Sequence, residues 1–308
     1  MIEIGPLSVL HWQGAFMANG PRLILVDGSS SLYRAFFALP PLSNSKGTPT
    51  HAILGFTTML LKLLREEEPD AVAVAFDGPG PTARHHEFAE YKAQRPEMPE
   101  AMVQQIPHVH RVLAAMRVPV LMMPAEEADD ILGSVAMRAA AEGYRVVLVS
   151  GDKDLFQLVG ERIVVRDTMK ERTWGPAEVQ ERYGISPGQF PDLLGLMGDS
   201  VDNIPGVPGV GEKTAQDLLQ RFGMLEAVLE RSVEVGRPKV REALLTHAEQ
   251  ARLSKRLATI RTDLPIPWAT ADLARKGPDM AALLELFREL EFSRLVQQFS
   301  QGQFQISN

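Results

Sequence analysis

A chain of 308 residues that is 45% hydrophobic is long enough to bury a substantial core, which excludes disorder over most of its length. Its 39 acidic and 32 basic residues give a net charge of −7, which argues against a generic basic nucleic-acid coat, although where charges sit outweighs their sum. The absence of cysteine excludes a disulfide framework, a thiol nucleophile and a cysteine zinc site, and no run reaches the roughly 20 apolar residues of a membrane span; a cytoplasmic protein with no membrane contact is expected.

Residues 1–21 read as an N-terminal extension, with 1–16 expected to be poorly ordered because Met17 stands just ahead of the first strand signal. Short β-branched runs then recur at 23–27, 71–76, 118–123, 145–149 and 163–165. Helical stretches lie between them at about 50–67, 99–116 and 128–142, which is the pattern of βαβ units and a buried parallel sheet. A charged segment, 80–98, interrupts the second crossover. After residue 175 the texture changes to short helices broken by Gly and Pro, so an α/β core over 22–174 and a helical subdomain over 175–308 are expected.

Acidic residues mark the ends of these strands. Asp27 closes the first, Asp77 the second, and Asp152 and Asp154 follow the fourth. In an open parallel sheet such positions converge on one crevice. Any one of them is also an ordinary turn residue; the four together are poorly explained that way. Glu127, Asp129 and Asp130 open the next helix, where acids also complement the macrodipole, and Asp199 and Asp202 form a further pair. Nine carboxylates cannot share a crevice ionised without compensating cations, and hard oxygen donors indicate two Mg²⁺, with Mn²⁺ as a substitute. Such a pair suits phosphodiester hydrolysis. Setting the nine candidates aside turns the charge of the remainder slightly basic.

The segment Gly206-Val-Pro-Gly209-Val-Gly211-Glu-Lys213-Thr214, entering an apolar-periodic helix, reads as a helix-hairpin-helix element over about 190–225 that grips a phosphate backbone without reading bases. The charged segment reads as a gate over the crevice: Lys92 and Arg95 neutralise the scissile phosphate, Tyr91 stacks on a base and Arg84 adds a DNA contact. Tyr33 and Arg34 are candidates for the same work. His85 and His86 are expected at the surface, and the pairs Phe36-Phe37 and Met122-Met123 in the core.

These residues resemble the 5′-nuclease domain of bacterial DNA polymerase I, in the flap endonuclease family. The likeness rests on Val26-Asp-Gly-Ser-Ser, Tyr91-Lys-x-x-Arg-Pro96, Glu127-Ala-Asp-Asp130, Gly151-Asp-Lys-Asp154 and the long run Leu196–Ala215, and extends from about 22 to 294. It implies a PIN-like or resolvase-like core with a helical arch over about 80–98. It assigns one metal to Asp27, Asp77, Glu127, Asp129 and Asp130 and the second to Asp152, Asp154, Asp199 and Asp202, with Lys92 and Arg95 catalytic and K⁺ assisting the hairpin. It further implies a monomeric, nucleoid-associated 5′→3′ exonuclease and flap endonuclease acting on 5′ flaps, nicks, junctions and RNA-primed strands in replication and repair, alongside a DNA polymerase. The Gly78-Pro-Gly-Pro81 stretch is more broken than a continuous arch helix. A noncatalytic junction-binding module would lack the carboxylates, and an RNA-processing nuclease of similar architecture would lack the hairpin.

Overall fold

The computed structural model describes residues 19–301, so the expectation for residues 1–16 lies outside the described residues. Six strands form one sheet: β1 (Arg22–Asp27), β2 (Ala71–Ala75), β3 (Val120–Leu121), β4 (Arg145–Val149), β5 (Ile163–Asp167) and β6 (Arg172–Trp174). Their order is β3-β2-β1-β4-β5-β6; β1 to β5 run parallel, and β6 closes one edge antiparallel to β5. The direction of winding reverses between β1 and β4, and ligands of such sheets bind beyond the strand ends at that point.

Side chains of β1 alternate across the sheet. Leu23 and Leu25 face one core, Ile24 and Val26 the other, and all four are fully buried. One face carries α6 (Ala128–Ala141); the other carries α1 (Gly28–Ala38), α2 (His51–Glu67) and α5 (Ile106–Ala115). Two short helices, α3 (Ala83–Glu87) and α4 (Glu100–Val103), precede α5. The single helix expected over 99–116 is thus divided at Gln104 and Gln105. The buried Gln105 side chain accepts from the Ala52 and Ile53 amides at 2.8 and 3.2 Å and so satisfies the otherwise orphaned start of α2. The third strand is shorter than expected; Pro119, which carries no N–H, stands just before it and contributes only its carbonyl, to the Val74 amide at 3.0 Å.

Beyond the sheet come α7 (Pro176–Tyr183), α8 (Phe190–Met197), α9 (Glu212–Phe222), α10 (Leu225–Glu230), α11 (Pro238–Thr246) and α12 (Ala248–Ala258). The last two helices, α13 (Met280–Glu289) and α14 (Ser293–Ser300), do not continue this helical unit. Leu283, Leu286, Phe287 and Leu295 return to the core shared with α2 and α5, and the Asp279 amide donates to the Ala115 carbonyl at 2.8 Å. The expectation of one helical subdomain over 175–308 is corrected accordingly: the C-terminal amphipathic pair has its apolar stripe buried against the α/β core.

Candidate metal and nucleic-acid site

The crevice forms where β1, β2 and β4 end. Asp27 is the last residue of β1 and the N-cap of α1; one of its oxygens accepts from the Ser30 amide at 2.9 Å and the other from the Ser150 hydroxyl at 2.8 Å. Asp77 follows β2 and accepts from the Ala128 amide, at the start of α6, at 2.9 Å. After β4 the chain turns tightly, with the Asp152 amide donating to Ser150 Oγ at 3.1 Å and the Asp154 amide to Asp152 Oδ1 at 2.9 Å. Asp199 accepts from the Val201 amide at 2.7 Å in the loop after α8.

Crowding of these carboxylates shows in their proton affinities. Burial, with added repulsion from Asp77 and Asp152, pushes the Asp27 carboxyl up to about 6 despite its two hydrogen bonds. Asp129 is raised well above the ordinary value by burial and then by Asp152 and Asp27, and Asp154 by burial and then by Asp152. Asp152 thus adds to the repulsion on all three.

Cationic side chains reach in from the gate and from the β4 turn. Lys92 Nζ lies 2.7 Å from Glu127 Oε2 and 3.6 Å from Asp202 Oδ2, and Arg95 pairs with Asp202 Oδ1 at 2.5 Å. Burial opposes ionisation of both Glu127 and Lys92, but each overcomes it for the other: Glu127 is held below, and Lys92 above, its usual range. Lys153, which the sequence reading passed over, pairs with Asp199 Oδ2 and lies 3.8 Å from Asp154 Oδ1. Its only sequence signal is its place between two aspartates in Gly151-Asp-Lys-Asp154, which sets the segment at the crevice but not the direction of the side chain.

The 80–98 segment is not a helical arch. After α3 it runs in turns laid on the Asp199–Asn203 loop: the Lys92 amide, at φ +56°, donates to the Asp202 carbonyl at 3.0 Å, and Gln94 and Asn203 side chains donate across to the Ser200 and Glu90 carbonyls at 2.8 and 2.7 Å. Gly78-Pro-Gly-Pro81 keeps the chain out of helix ahead of α3, whose start is capped by Thr82 and His85.

Three expected site residues of the gate and α6 are placed differently. Arg84 is buried and grips Asp130 through two hydrogen bonds of 2.6 and 2.8 Å while donating to the Leu257 and Thr259 carbonyls, so it is a strut to α12 and not a DNA contact. Asp130, only 1% exposed and also accepting from the Arg261 amide at 2.8 Å, is engaged in that strut beneath the crevice. Tyr91 is 3% exposed with its hydroxyl 3.1 Å from both Glu127 and Asp202, so it cannot stack on a base in this conformation. Two supposed core residues are surface residues: Phe37 is 61% and Met122 42% exposed, while Phe36 and Met123 pack against the two cores. His86 is exposed, and His85 caps α3 with its ring edge-on to Tyr91.

Tyr33 is exposed on α1, its ring 4.8 Å from that of Phe37. Arg34 crosses the β4 turn to Asp167 at 3.2 Å; a side chain at Gly151 would collide with this guanidinium. A cavity of about 400 Å³ joins Arg34, Lys153, Asp152, Asp154 and Asp199 to Trp174 and Tyr183.

The helix-hairpin-helix comprises α8, the 198–211 turn and α9. Gly206, at φ +60°, packs on the Met197–Gly198 backbone with its amide bonded to Ser254 Oγ at 3.0 Å, so it shapes the hairpin from inside and offers no donor to DNA. Gly209 and Gly211 face open space, Lys213 is exposed, and Thr214 accepts from Arg237 at 3.2 Å. Gly211 caps α9 without a side chain, leaving first-turn amides for an anion.

The residues fit divalent cations. Asp154 Oδ1 is buried with no hydrogen-bond partner, and burial, with added repulsion between neighbouring carboxylates, raises Asp27, Asp129 and Asp154. Among the described residues no three acidic side chains are already drawn together around a single point, and Lys92, Arg95 and Lys153 pair with Glu127, Asp202 and Asp199.

A parallel sheet with a carboxylate crevice at its switch point and a helix-hairpin-helix beside it defines a class of phosphate-backbone proteins. Residues 22–184 match the family described as 5′-3′ exonuclease, N-terminal resolvase-like domain, and 185–281 match 5′-3′ exonuclease, C-terminal SAM fold. The chain is 47% identical over 280 residues to DNA polymerase I of Bacillus caldotenax, covering 90% of this chain and 32% of that protein. It is 40% identical over 278 residues to the 5′-3′ exonuclease of Aquifex aeolicus, covering 90% of this chain and 94% of that one. The chain thus spans about a third of the polymerase relatives it matches. Among solved structures, T5 5′-exonuclease with bound zinc superposes with a TM-score of 0.67 at 21% identity over 89% of this chain and 98% of that one. The catalytic core of Rad2 in complex with DNA substrate gives 0.62 at 16% over 90% and 91%. This chain belongs to the 5′-3′ exonuclease family.

Proposed function

We propose that the protein is a divalent-cation-dependent 5′→3′ exonuclease and flap endonuclease that hydrolyses phosphodiester bonds where single strand meets duplex. The observation that carries the reading is the convergence of Asp27, Asp77, Asp129, Asp152, Asp154 and Asp199 on the sheet's switch point, under a gate whose Lys92 is already ion-paired to Glu127. Asp27, Asp77, Asp129 and Asp152 would hold one Mg²⁺ and Asp152, Asp154, Asp199 and Asp202 the other, with Mn²⁺ as a substitute. Bound there, the ions supply Lewis acidity and a water of lowered pKa.

The chain's own side chains do the rest. Lys92 and Arg95 exchange Asp202 for the phosphate and present fixed positive charge to it. Water oxygen bonds to phosphorus as the bond to the leaving 3′ oxygen breaks; that oxygen takes a proton, leaving 5′-phosphate and 3′-hydroxyl ends. Gly209, Gly211 and the first turn of α9 hold the duplex backbone, with Lys213 adding charge, and a K⁺ bound at this turn would add further positive charge toward the phosphates. Arg34 and Tyr33 flank the strand's route into the crevice. The substrates are 5′ flaps, nicks and RNA-primed strands in replication and repair, and the enzyme works as a cytoplasmic, nucleoid-associated monomer with a DNA polymerase. No helix among the described residues is long and apolar enough to cross a membrane. Incubating a 5′-labelled flap substrate with and without Mg²⁺ tests this: cuts clustered at the junction support it, and cation-independent or dispersed cuts contradict it.

A further inference from the structure

The carboxylates of the crevice divide by what compensates them. Asp27 and Asp77 are met by neutral donors, the Ser30 amide, the Ser150 hydroxyl and the Ala128 amide. Among the described residues no ammonium or guanidinium lies within ion-pair distance of Asp27, Asp77, Asp129 or Asp152; Lys92 and Lys153 pair elsewhere. The other half is crowded with cations: Lys153 on Asp199 and Asp154, and Lys92 and Arg95 on Asp202.

Lys92 and Arg95 belong to the gate, but Lys153 does not. It sits at the start of a short 3₁₀ turn, Asp154–Leu158, inside the tight loop that aims Asp152 and Asp154 into the crevice. From there its ammonium spans from the α/β core to Asp199 of the hairpin loop and approaches Asp154 Oδ1, the one crevice oxygen that is buried without a hydrogen bond. A monovalent side chain thus occupies the place a hard cation would take, bridging the same two carboxylates.

We propose that Lys153 is a built-in counter-cation, a positioning residue that holds Asp154 and Asp199 together in the metal-free protein and competes with the divalent ion of that half. The inference rests on the two-cation reading above. It has two consequences. The ion on the Asp27 side binds without displacing any charged group and binds more tightly. The ion on the Asp199 side must first release Lys153, which weakens it and ties its binding to a movement of the β4 turn.

The test is calorimetric titration of the metal-free full chain with Mn²⁺, without DNA. Wild type is expected to show two classes of site. Lys153→Met removes the competitor, so the weaker class tightens by about 5-fold, the scale of one partly exposed ion pair, while the tighter class stays within about 2-fold. Lys153→Arg, which keeps the charge, returns the weaker class towards wild type; a strut of merely apolar or steric kind would not be restored by charge. Lys153→Gln, isosteric in part and neutral, is expected to follow Lys153→Met and guards against a folding defect peculiar to one variant. Two classes that are unchanged in Lys153→Met and Lys153→Gln, or a weaker class that weakens further, overturn the role of Lys153 while leaving the two-cation reading standing. Wild type that binds no Mn²⁺ overturns both.

Discussion

Replacing Lys92 by alanine isolates the charge that the gate delivers. Its ammonium stands 2.7 Å from Glu127 and 3.6 Å from Asp202 with its side chain 16% exposed. At an effective dielectric of about 20, attraction at these distances amounts to about 5 to 6 kcal/mol each, most of it offset by removal of the ions from water. Because Glu127 keeps Arg84 and Tyr91 when Lys92 is removed, the cost to the folded protein is about 3 kcal/mol, the low end for breaking a buried pair. The reacting phosphate differs from these carboxylates because its charge grows and shifts in the transition state. A preorganised cation of this kind contributes about 2.7 kcal/mol there, so Lys92→Ala is expected to lower single-turnover cleavage about 100-fold at saturating Mg²⁺. Substrate affinity, measured separately in Ca²⁺, should fall less than about 10-fold. A cleavage rate within about 3-fold of wild type, with the whole effect in affinity, would make Lys92 a tether and refute the reasoning.

Other consequences follow from the same contacts. Arg84→Met leaves Asp130 buried without its partner and is expected to cost about 3 to 5 kcal/mol in chemical denaturation, with the salt dependence of DNA binding unchanged; a shallower salt slope with full stability would return Arg84 to the DNA interface. Lys213→Ala should weaken binding to all sequences alike and reduce the salt slope by about one unit, and a sequence-selective loss would contradict backbone contact. In the metal-free protein Asp27, raised from 3.8 to about 6, binds its proton more tightly folded than unfolded, so stability falls as pH rises through that window. Asp129 and Asp154, also raised, act in the same direction, whereas Glu127, held low, loses its contribution only below its ordinary value of 4.5. Chemical denaturation without metal is therefore expected to show greater stability at about pH 5.5 than at about pH 8, by about 1 kcal/mol from Asp27 alone, and saturating Mg²⁺ should abolish the difference; a flat or reversed profile counts against the repulsive cluster.

The sheet and the crevice were legible because both are written in local patterns. β-branched runs specify buried strands, and an aspartate at the end of several of them specifies a shared edge once the strands are parallel. What pattern does not carry is direction. Asp129 and Asp130 are neighbours on α6 and so point about 100° apart, which leaves one in the crevice and the other beneath it with Arg84. Arg84 and Tyr91 looked like DNA contacts because charge and aromaticity in a polar segment suggest solvent; the segment instead folds down and buries them. The three-residue β6 is too short for periodicity to reveal. The return of α13 and α14 to the first core is a matter of connectivity, since an amphipathic stripe states that it must be covered and not by what.

The central claim is that Asp152 stands between two cation positions and that these cut the strand at a junction. Its most direct measurement compares wild type and Asp152→Asn on a 5′-labelled flap in Mg²⁺, with flap binding measured in Ca²⁺. Junction-centred products from wild type, and none from a variant that still binds the flap, are predicted; a variant that cleaves normally at saturating Mg²⁺ would contradict the account.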